Sequence, residues 1–477
     1  MNAVSPRLDR AALSALPRAV RPAVDPAALR PRVVHLGLGA FHRAHQALYT
    51  EDAEAAHGGG WGIAAVAQRS TAVLDALRPQ DCLYTCTRRD PGGPATRVVA
   101  AVTEALHATA DADRLRALLA SPDVTVVTLT VTEKGYRRDP VHHGLDLDDP
   151  AVRADLAGAG PPATAVGQLA VGLRARYAAG GPPLSVLSCD NMTGNSTVLA
   201  RLVRDHVTAA GWPEHARLLE WLETSVAFPP TMVDRIVPAP TEADRDAAAR
   251  ALGGRRDEAA VAAEPFTQWV IEDAFTADRP RWEAAGAQLV ADVAPYELTK
   301  LRLLNGSHSL LAHRGLAAGL DTVADVLDTA WGERAVRDYA TEVAATLPAA
   351  PGLDTGAYVD SLVERFANHA MGHRLRQIAS DGSLKIPERW LAPLRELRSA
   401  GRPAPALTGC LAAYARHTRA APLDDPSATA LRTAWDAGTP ADAVRRLLTV
   451  LGAADLADDA ELAADVAAGV RELDRGA

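Results

Sequence analysis

The segment Val33–Phe41, VVHLGLGAF, constrains the fold of this chain more than any other stretch. Val33–Leu36 reads as a short, fully buried strand, Gly37 and Gly39 supply a turn, and FHRAHQALYTEDA follows with helical spacing. A buried strand that turns through glycines directly into a helix is the first half of a crossover unit, and crossovers require neighbouring strands to run parallel. The same arrangement opens a dinucleotide-binding unit, where bare backbone amides and a helix N-terminus face a pyrophosphate. Gly37, Leu38, Gly39, Ala40, Phe41 and His42 are therefore candidate cofactor contacts. The third glycine of that fingerprint falls on His42, so the two glycines alone fit an ordinary strand-turn-helix equally well.

The runs that follow extend this beginning. GIAAVAQ reads as a second strand closing at Gln68, where an NAD-binding unit presents an acid to the ribose hydroxyls. Here the residues are Gln68, Arg69 and Ser70; Arg69 is placed to meet a 2′-phosphate, or else is a surface arginine. CLYTCTRR, RVVAAVT, VTVVTLTVT and LSVLSCD continue the strand pattern, with the helical stretches DADRLRALLA and GNSTVLARLVRDHV among them. The expected class is α/β, a largely parallel, doubly wound sheet whose ligands sit beyond the carboxyl ends of its strands. Two polar clusters occupy such ends: Glu133, Lys134 and Tyr136 in TEKGY, and Asp190 and Asn191 in CDN. From about Pro295 the texture becomes Ala/Leu/Arg-rich and helical. The expected division is a lead-in over residues 1–30, a sheet domain over 31–290 and a mainly α-helical domain over 291–477.

Composition narrows the function. With 59 acidic against 50 basic residues, a net charge of −9, a nucleic-acid role is disfavoured. The four cysteines, Cys82, Cys86, Cys189 and Cys410, make neither a zinc pattern nor a disulfide framework, which fits a reducing cytoplasm. The N-terminal stretch has scattered charges and no apolar run, so neither a secretory signal nor a membrane anchor is expected, and no later stretch is apolar enough to span a membrane.

The chemistry is concentrated in Thr299–Leu310, TKLRLLNGSHSL. On an α-helix at about 100° per residue, with Lys300 at zero, His308 falls at roughly 80°, Asn305 at roughly 140° and Glu297 at roughly 60°. A lysine, a carboxamide, an imidazole and a carboxylate thus share one side. Such a set suits a reaction in which a carbon-bound oxygen gains or loses a proton: the amine exchanges the proton, the amide holds the oxygen and the imidazole orients it. The competing reading is a solvated lysine ahead of an NGS turn.

The motifs GAFHRAHQALYT, VTLTVTEKGY, SCDN, TMVDRIVPA, QWVIED and KLRLLNGSHS, in this order, resemble the long-chain mannitol dehydrogenase family, a resemblance that covers about residue 30 to about residue 450. The resemblance implies a Rossmann-type doubly wound N-terminal domain, a helical C-terminal domain, and hydride transfer between NAD and a sugar alcohol or sugar acid without a metal. It also implies that Lys300 is the acid when a ketone is reduced and the base when an alcohol is oxidised. Asn305 and His308 match the rest of that motif, Asn191 matches a second amide at a strand end, and Glu297 matches a glutamate that relays the proton.

Substrate choice turns on HRLRQIASDGSLK, which gathers His373, Arg374, Arg376 and Lys385. Arginine is suited to grip a carboxylate, and this segment is similar to the uronate-reducing branch of the family, whereas polyol-oxidising members more often carry arginine in place of Gln377. A solvated basic helix end is the alternative. Asp234 and Arg235 in TMVDR are further substrate candidates, or else a pair that ties domains together. Pro230 and His369 depart from the family pattern on the substrate side. The expected reaction interconverts a uronate and its alcohol, with a polyol dehydrogenase and a non-catalytic dinucleotide sensor as rivals.

Overall fold

The computed structural model describes residues 5–419 and 423–475, and the chain divides into two compact units between Val293 and Ala294.

The first unit is built on a six-stranded sheet. Its strands are β1 (Arg30–Leu36), β2 (Trp61–Ala67), β3 (Val102–His107), β4 (Val126–Leu129), β5 (Leu184–Ser188) and β6 (Val226–Ala227). They lie in the order β3-β2-β1-β4-β5-β6, and every pairing is parallel. All residues of β2, β4 and β5 are buried, as a parallel sheet covered on both faces requires. The pleat sends alternate residues to opposite faces. Val33, Ile63, Ala65 and Val126 join one apolar cluster, which includes Ala47 and Tyr49 of a covering helix. Val34, Ala64, Val66 and Val127 join the other, with Leu115 and Leu119, Leu169 and Leu173, and Leu199 and Val203 from the helices Ala112–Ala120, Ala165–Ala178 and Asn195–Ala209. The strand order reverses between β1 and β4, and the crevice beyond their carboxyl ends is where such a sheet accepts a ligand.

Two expectations need correction. CLYTCTRR does not extend the parallel sheet. Tyr84–Asp90 pairs antiparallel with Gly93–Val99 and parallel with Val261–Ala263 in a separate three-stranded sheet, so RVVAAVT is split between that hairpin and β3. The stretch after Gly39 is also not one helix. It forms α1 (Ala40–Ala44) and α2 (Gln46–His57), interrupted at His45, whose backbone stands at φ −133°, ψ −90° while its Nε2 meets Gln268 O at 2.9 Å. A third small sheet, unread in the sequence, joins Thr231–Asp234, Gln268–Glu272 and Gln288–Val290.

The second unit is helical throughout its described residues, apart from a single bridge between Thr322 and Arg374. Its core contains Leu303, Leu311, Val336, Tyr339, Leu362, Trp390, Leu411, Leu447 and Val466. Among the described residues no helix is long and apolar enough to cross a membrane.

Candidate active site

At the carboxyl ends of β1, β2 and β4 lies a groove of about 370 Å³, within the range of small-molecule sites. Gly37, Leu38 and Gly39 form one wall, Gln68, Arg69 and Ser70 a second, and Thr130, Val131, Thr132, Gly135 and Arg137 a third, with Thr164 closing it. Gly37 stands at φ +114°, and a Cβ there would lie 2.7 Å from Thr130 O, so only glycine fits the turn. A Cβ on Gly39 would meet only Gly37 O, at 3.8 Å, so side-chain volume there would project into the open cradle. The residues thus fit a dinucleotide: bare backbone at the turn, hydroxyls and arginines on the other walls, and no carboxylate in the lining. Gln68 forms a reciprocal amide pair with Gln168, 3.0 Å in each direction. Of the cofactor contacts read from sequence, Gly37, Leu38, Gly39 and Arg69 line the groove. Ala40 and Phe41 belong to α1, where Phe41 stacks on His45, and His42 points inward and is fully buried. Thr130, Thr132, Gly135, Arg137 and Thr164 were not legible as groove residues, although the strand-end TEKGY pointed near them.

Beneath the turn, the ring of His42 stacks on that of His35 at 3.4 Å and 12°. His35 Nδ1 meets Thr128 Oγ1 at 2.7 Å, and its Nε2 meets Thr130 Oγ1 at 2.9 Å and Gly37 O at 3.1 Å, so the ring braces the glycine turn from below. Burial pushes the His35 pKa down to about 3, only partly opposed by the bond to Gly37 O. The unfolded chain binds a proton at this histidine near pH 6.5 and the folded chain does not. The stability it confers is therefore complete above that pH and declines as pH falls toward 3. At pH 5 the loss is about 2 kcal/mol from this residue. In denaturant titrations at pH 7.5 and 5, His35→Asn is expected to lower stability at both values but to shrink the difference between them by about that amount.

In the second unit, Lys300 opens a π-helical turn, Lys300–Asn305, set between the α-helices Ala294–Thr299 and Gly306–Ala317. One regular helix through this stretch is thus corrected. A π turn takes up about one extra residue, which removes roughly 100° from the angle between residues on either side of it. Asn305 then falls roughly 40° from Lys300 and His308 roughly 20° to its other side, a tighter convergence than a straight helix gives. Glu297, in the preceding helix, keeps its angle of roughly 60°.

A π turn leaves carbonyls out of the regular ladder, and buried side chains take them up. Tyr339 Oη donates to Arg302 O at 2.8 Å, Arg389 Nη1 to Asn305 O at 3.2 Å, and Trp390 Nε1 to Gly306 O at 3.2 Å. Arg389 also reaches Ser309 Oγ at 2.8 Å and comes from a second π turn, Pro387–Leu391. Burial lowers its pKa to about 10, which leaves it charged at neutral pH. Arg302 pairs with Glu396 at 2.9 and 2.5 Å and donates to Thr346 O. No sequence signal marks these supports, which lie 34 or more residues from the turn they hold.

Lys300 is 9% exposed and His308 8%. The His308 ring lies 4.6 Å from Phe366 and 5.1 Å, edge on, from His373. Burial, then the positive groups of His373, Arg365, Arg389 and Lys300, hold its pKa well below the ordinary histidine value, so the imidazole is neutral. Its Nε2 is buried and has no hydrogen-bond partner among the described residues. A neutral ring nitrogen left open in this way is an unused donor or acceptor, which a substrate hydroxyl or carbonyl can satisfy.

The basic segment after His373 divides. His373 joins the His308 cluster and is half-buried, its pKa lowered by burial and then by Arg365. Arg374, Arg376 and Gln377 are exposed. Lys385 turns back on the chain, its Nζ donating to Ser380 O at 2.6 Å and Ile378 O at 3.4 Å. In the first unit Asn191 sits exposed just after β5, and Asp234 is buried at the end of Thr231–Asp234. Arg235 serves main-chain carbonyls of its own unit, Glu264 O at 3.1 and 2.8 Å and Ala44 O at 2.5 Å.

Comparison with known proteins agrees with both halves of the chain. Residues 31–284 match the mannitol dehydrogenase Rossmann domain and residues 292–474 the mannitol dehydrogenase C-terminal domain. An uncharacterized oxidoreductase of Escherichia coli (strain K12) is 44% identical over 79% of this chain and 77% of its own length. The D-mannonate oxidoreductase of the same organism is 39% identical over 96% of both chains. The Pseudomonas fluorescens mannitol 2-dehydrogenase, solved as a ternary complex with NAD and D-mannitol, superposes with a TM-score of 0.83 at 32% identity, over 98% of this chain and 97% of that one. The chain belongs to the mannitol dehydrogenase family, oxidoreductases that pair a Rossmann domain with a mainly helical C-terminal domain.

Proposed function

We propose that this protein interconverts D-fructuronate and D-mannonate with NAD(H), using Lys300 as the acid and base. The observation that carries the reading is the neutral His308 with its open Nε2, brought by the π turn onto the same helical face as Lys300 and Asn305. The 39% identity to a D-mannonate oxidoreductase over nearly the whole of both chains supports the substrate class.

In the reductive direction the Lys300 ammonium gives its proton to the carbonyl oxygen as charge develops there; in the oxidative direction the amine takes the hydroxyl proton. The Asn305 carboxamide donates an N–H to that oxygen, His308 fixes its direction, and Asn191 is assigned a second amide by its place in SCDN. Glu297 passes the proton on to solvent. The nicotinamide, when bound, supplies or accepts the hydride. The groove residues Gly37, Leu38, Gly39 and Arg69 hold the dinucleotide. Arg374, exposed beside His373, grips the substrate carboxylate, with His373 and Lys385 in the same basic patch and Asp234 meeting the substrate hydroxyls. The chemistry uses no metal.

A polyol substrate is the second reading, favoured by the fit to a mannitol 2-dehydrogenase over almost the whole chain. A non-catalytic dinucleotide sensor would bind cofactor without turnover, and the complete set of Lys300, Asn305 and His308 argues against it. The readings separate in one kinetic panel. With NADH, D-fructuronate is expected to be reduced faster than D-fructose at equal concentration; a large excess in favour of fructose excludes the uronate reading. Because no carboxylate lines the groove, NADPH is expected to support the reaction with kcat/KM within about tenfold of NADH, a difference of at most about 1.4 kcal/mol.

A further inference from the structure

Tyr136 is fully buried, and its hydroxyl reaches across from the turn after β4 to the turn after β5. There it donates to Asp190 Oδ2 and lies against Ser188 Oγ, which donates to the same carboxylate oxygen at 2.8 Å. The second oxygen, Oδ1, accepts the Met192 N–H at 2.9 Å. Asn195 Nδ2 bonds Thr231 O at 3.1 Å and Asp190 O at 3.4 Å, and Thr231 Oγ1 donates to Ser188 O at 2.5 Å. The chain is thus fixed on both sides of Asn191: Asp190 is held by two hydroxyls, and Met192 is held by Asp190. The residues flanking Tyr136, Gly135 and Arg137, line the nucleotide groove together with Val131 and Thr132. One hydroxyl therefore ties the rim of that groove to the turn that presents Asn191.

We propose that Tyr136 and Asp190 are positioning residues for the Asn191 carboxamide. The proposal rests on the reading of Asn191 as a donor to the substrate oxygen. Removing the tyrosine hydroxyl leaves Asp190 short of a donor in a largely buried place, and the turn relaxes to find another. A shift of about 1 Å in a group that must meet a developing charge is enough to cost on the order of 100-fold in rate.

The test is a cycle of Tyr136→Phe, Asn191→Ala and the double variant, in the full chain with NADH and the keto-acid. Asn191→Ala is expected to lower kcat by on the order of 10²–10³-fold. Tyr136→Phe is expected to lower it by on the order of 10- to 100-fold with the NADH Kd and the thermal midpoint close to wild type. In the Asn191→Ala background the tyrosine change is expected to add nothing, because residues that act through one group are not additive. Wild-type kcat in Tyr136→Phe, or a full multiplicative loss in the double variant, overturns the proposal. Wild-type kcat in Asn191→Ala overturns the role assigned to Asn191 and the proposal with it, and is distinguished by appearing in that single variant. Asp190→Asn keeps the shape and weakens the acceptor; it is expected to show the same pattern, and it decides the matter should Tyr136→Phe not fold.

Discussion

Lys300→Ala is expected to lower kcat by on the order of 10²–10⁴-fold, the usual contribution of a positioned general acid or base. NADH affinity and thermal midpoint are expected to stay close to those of the wild type. The nucleotide groove draws its lining entirely from residues 37–165, so truncating a lysine in the helical unit removes nothing from it. The π turn that begins at Lys300 is held through Leu303 and Leu304 in the core, through Arg302 on Glu396, and through Tyr339, Arg389 and Trp390 on its carbonyls. None of these supports uses the lysine side chain. A loss in kcat without a loss in cofactor binding is the signature of a group needed in the transition state alone. Steady-state rates and a fluorescence titration with NADH check both parts; a variant that turns over at the wild-type rate contradicts the mechanism.

Gly306→Ala is expected to be the second most damaging small change. A methyl group at Gly306 would overlap the Tyr339 hydroxyl and stand 2.8 Å from Cζ of that ring. Tyr339 has nowhere to retreat: it is fully buried, and its hydroxyl bonds Arg302 O at 2.8 Å in the middle of the π turn. Overpacking of this kind costs about 1–3 kcal/mol, and movement of the turn shifts Lys300 against Asn305 and His308, which costs on the order of 100-fold in rate. Adding Tyr339→Phe removes the obstructing oxygen but leaves Cζ 2.8 Å from the new methyl group, and is expected to recover only part of the thermal midpoint. The rate is expected to recover less, because Arg302 O then lacks its donor. Wild-type rate and midpoint in Gly306→Ala would show that the turn yields without consequence for the site.

The contrast between these regions explains how much could be read from the amino acids alone. The parallel sheet was legible because β2 (WGIAAVA), the second half of β1 (VVHL), β4 (VVTL) and β5 (LSVLS) are buried and mostly apolar, the pattern imposed on strands covered on both faces. The hairpin Tyr84–Asp90 with Gly93–Val99 was misassigned to that sheet, although Asp90, Pro91, Gly92 and Gly93 are a turn signal, because TCTRR alternates too weakly to outweigh its apolar neighbours. Strands of three residues, such as Val261–Ala263 and Gln288–Val290, carry too few side chains for any period to show. At the site, Lys300, Asn305 and His308 were singled out by residue type and spacing together with the family resemblance. The π turn that aligns them was not, since the groups that stabilise it arrive from Tyr339, Arg389 and Trp390, far along the chain. One charge in a basic segment likewise does not reveal that the Lys385 ammonium, a substrate candidate by its place in that segment, donates to Ser380 O.

Chemical rescue tests the proton-transfer role most directly. With Lys300→Ala saturated in NADH and keto-acid, small primary alkylammonium ions added to the buffer are expected to restore turnover in a concentration-dependent way, by occupying the space of the missing side chain and delivering the proton. The rescued rate is expected to follow the acidity of the amine once its size is allowed for. An Asn305→Ala variant, which retains the lysine, is expected to gain nothing from the same amines. A Lys300→Ala enzyme that is impaired but indifferent to every amine, or that is rescued no better than Asn305→Ala, would contradict the assignment of Lys300 as the acid and base.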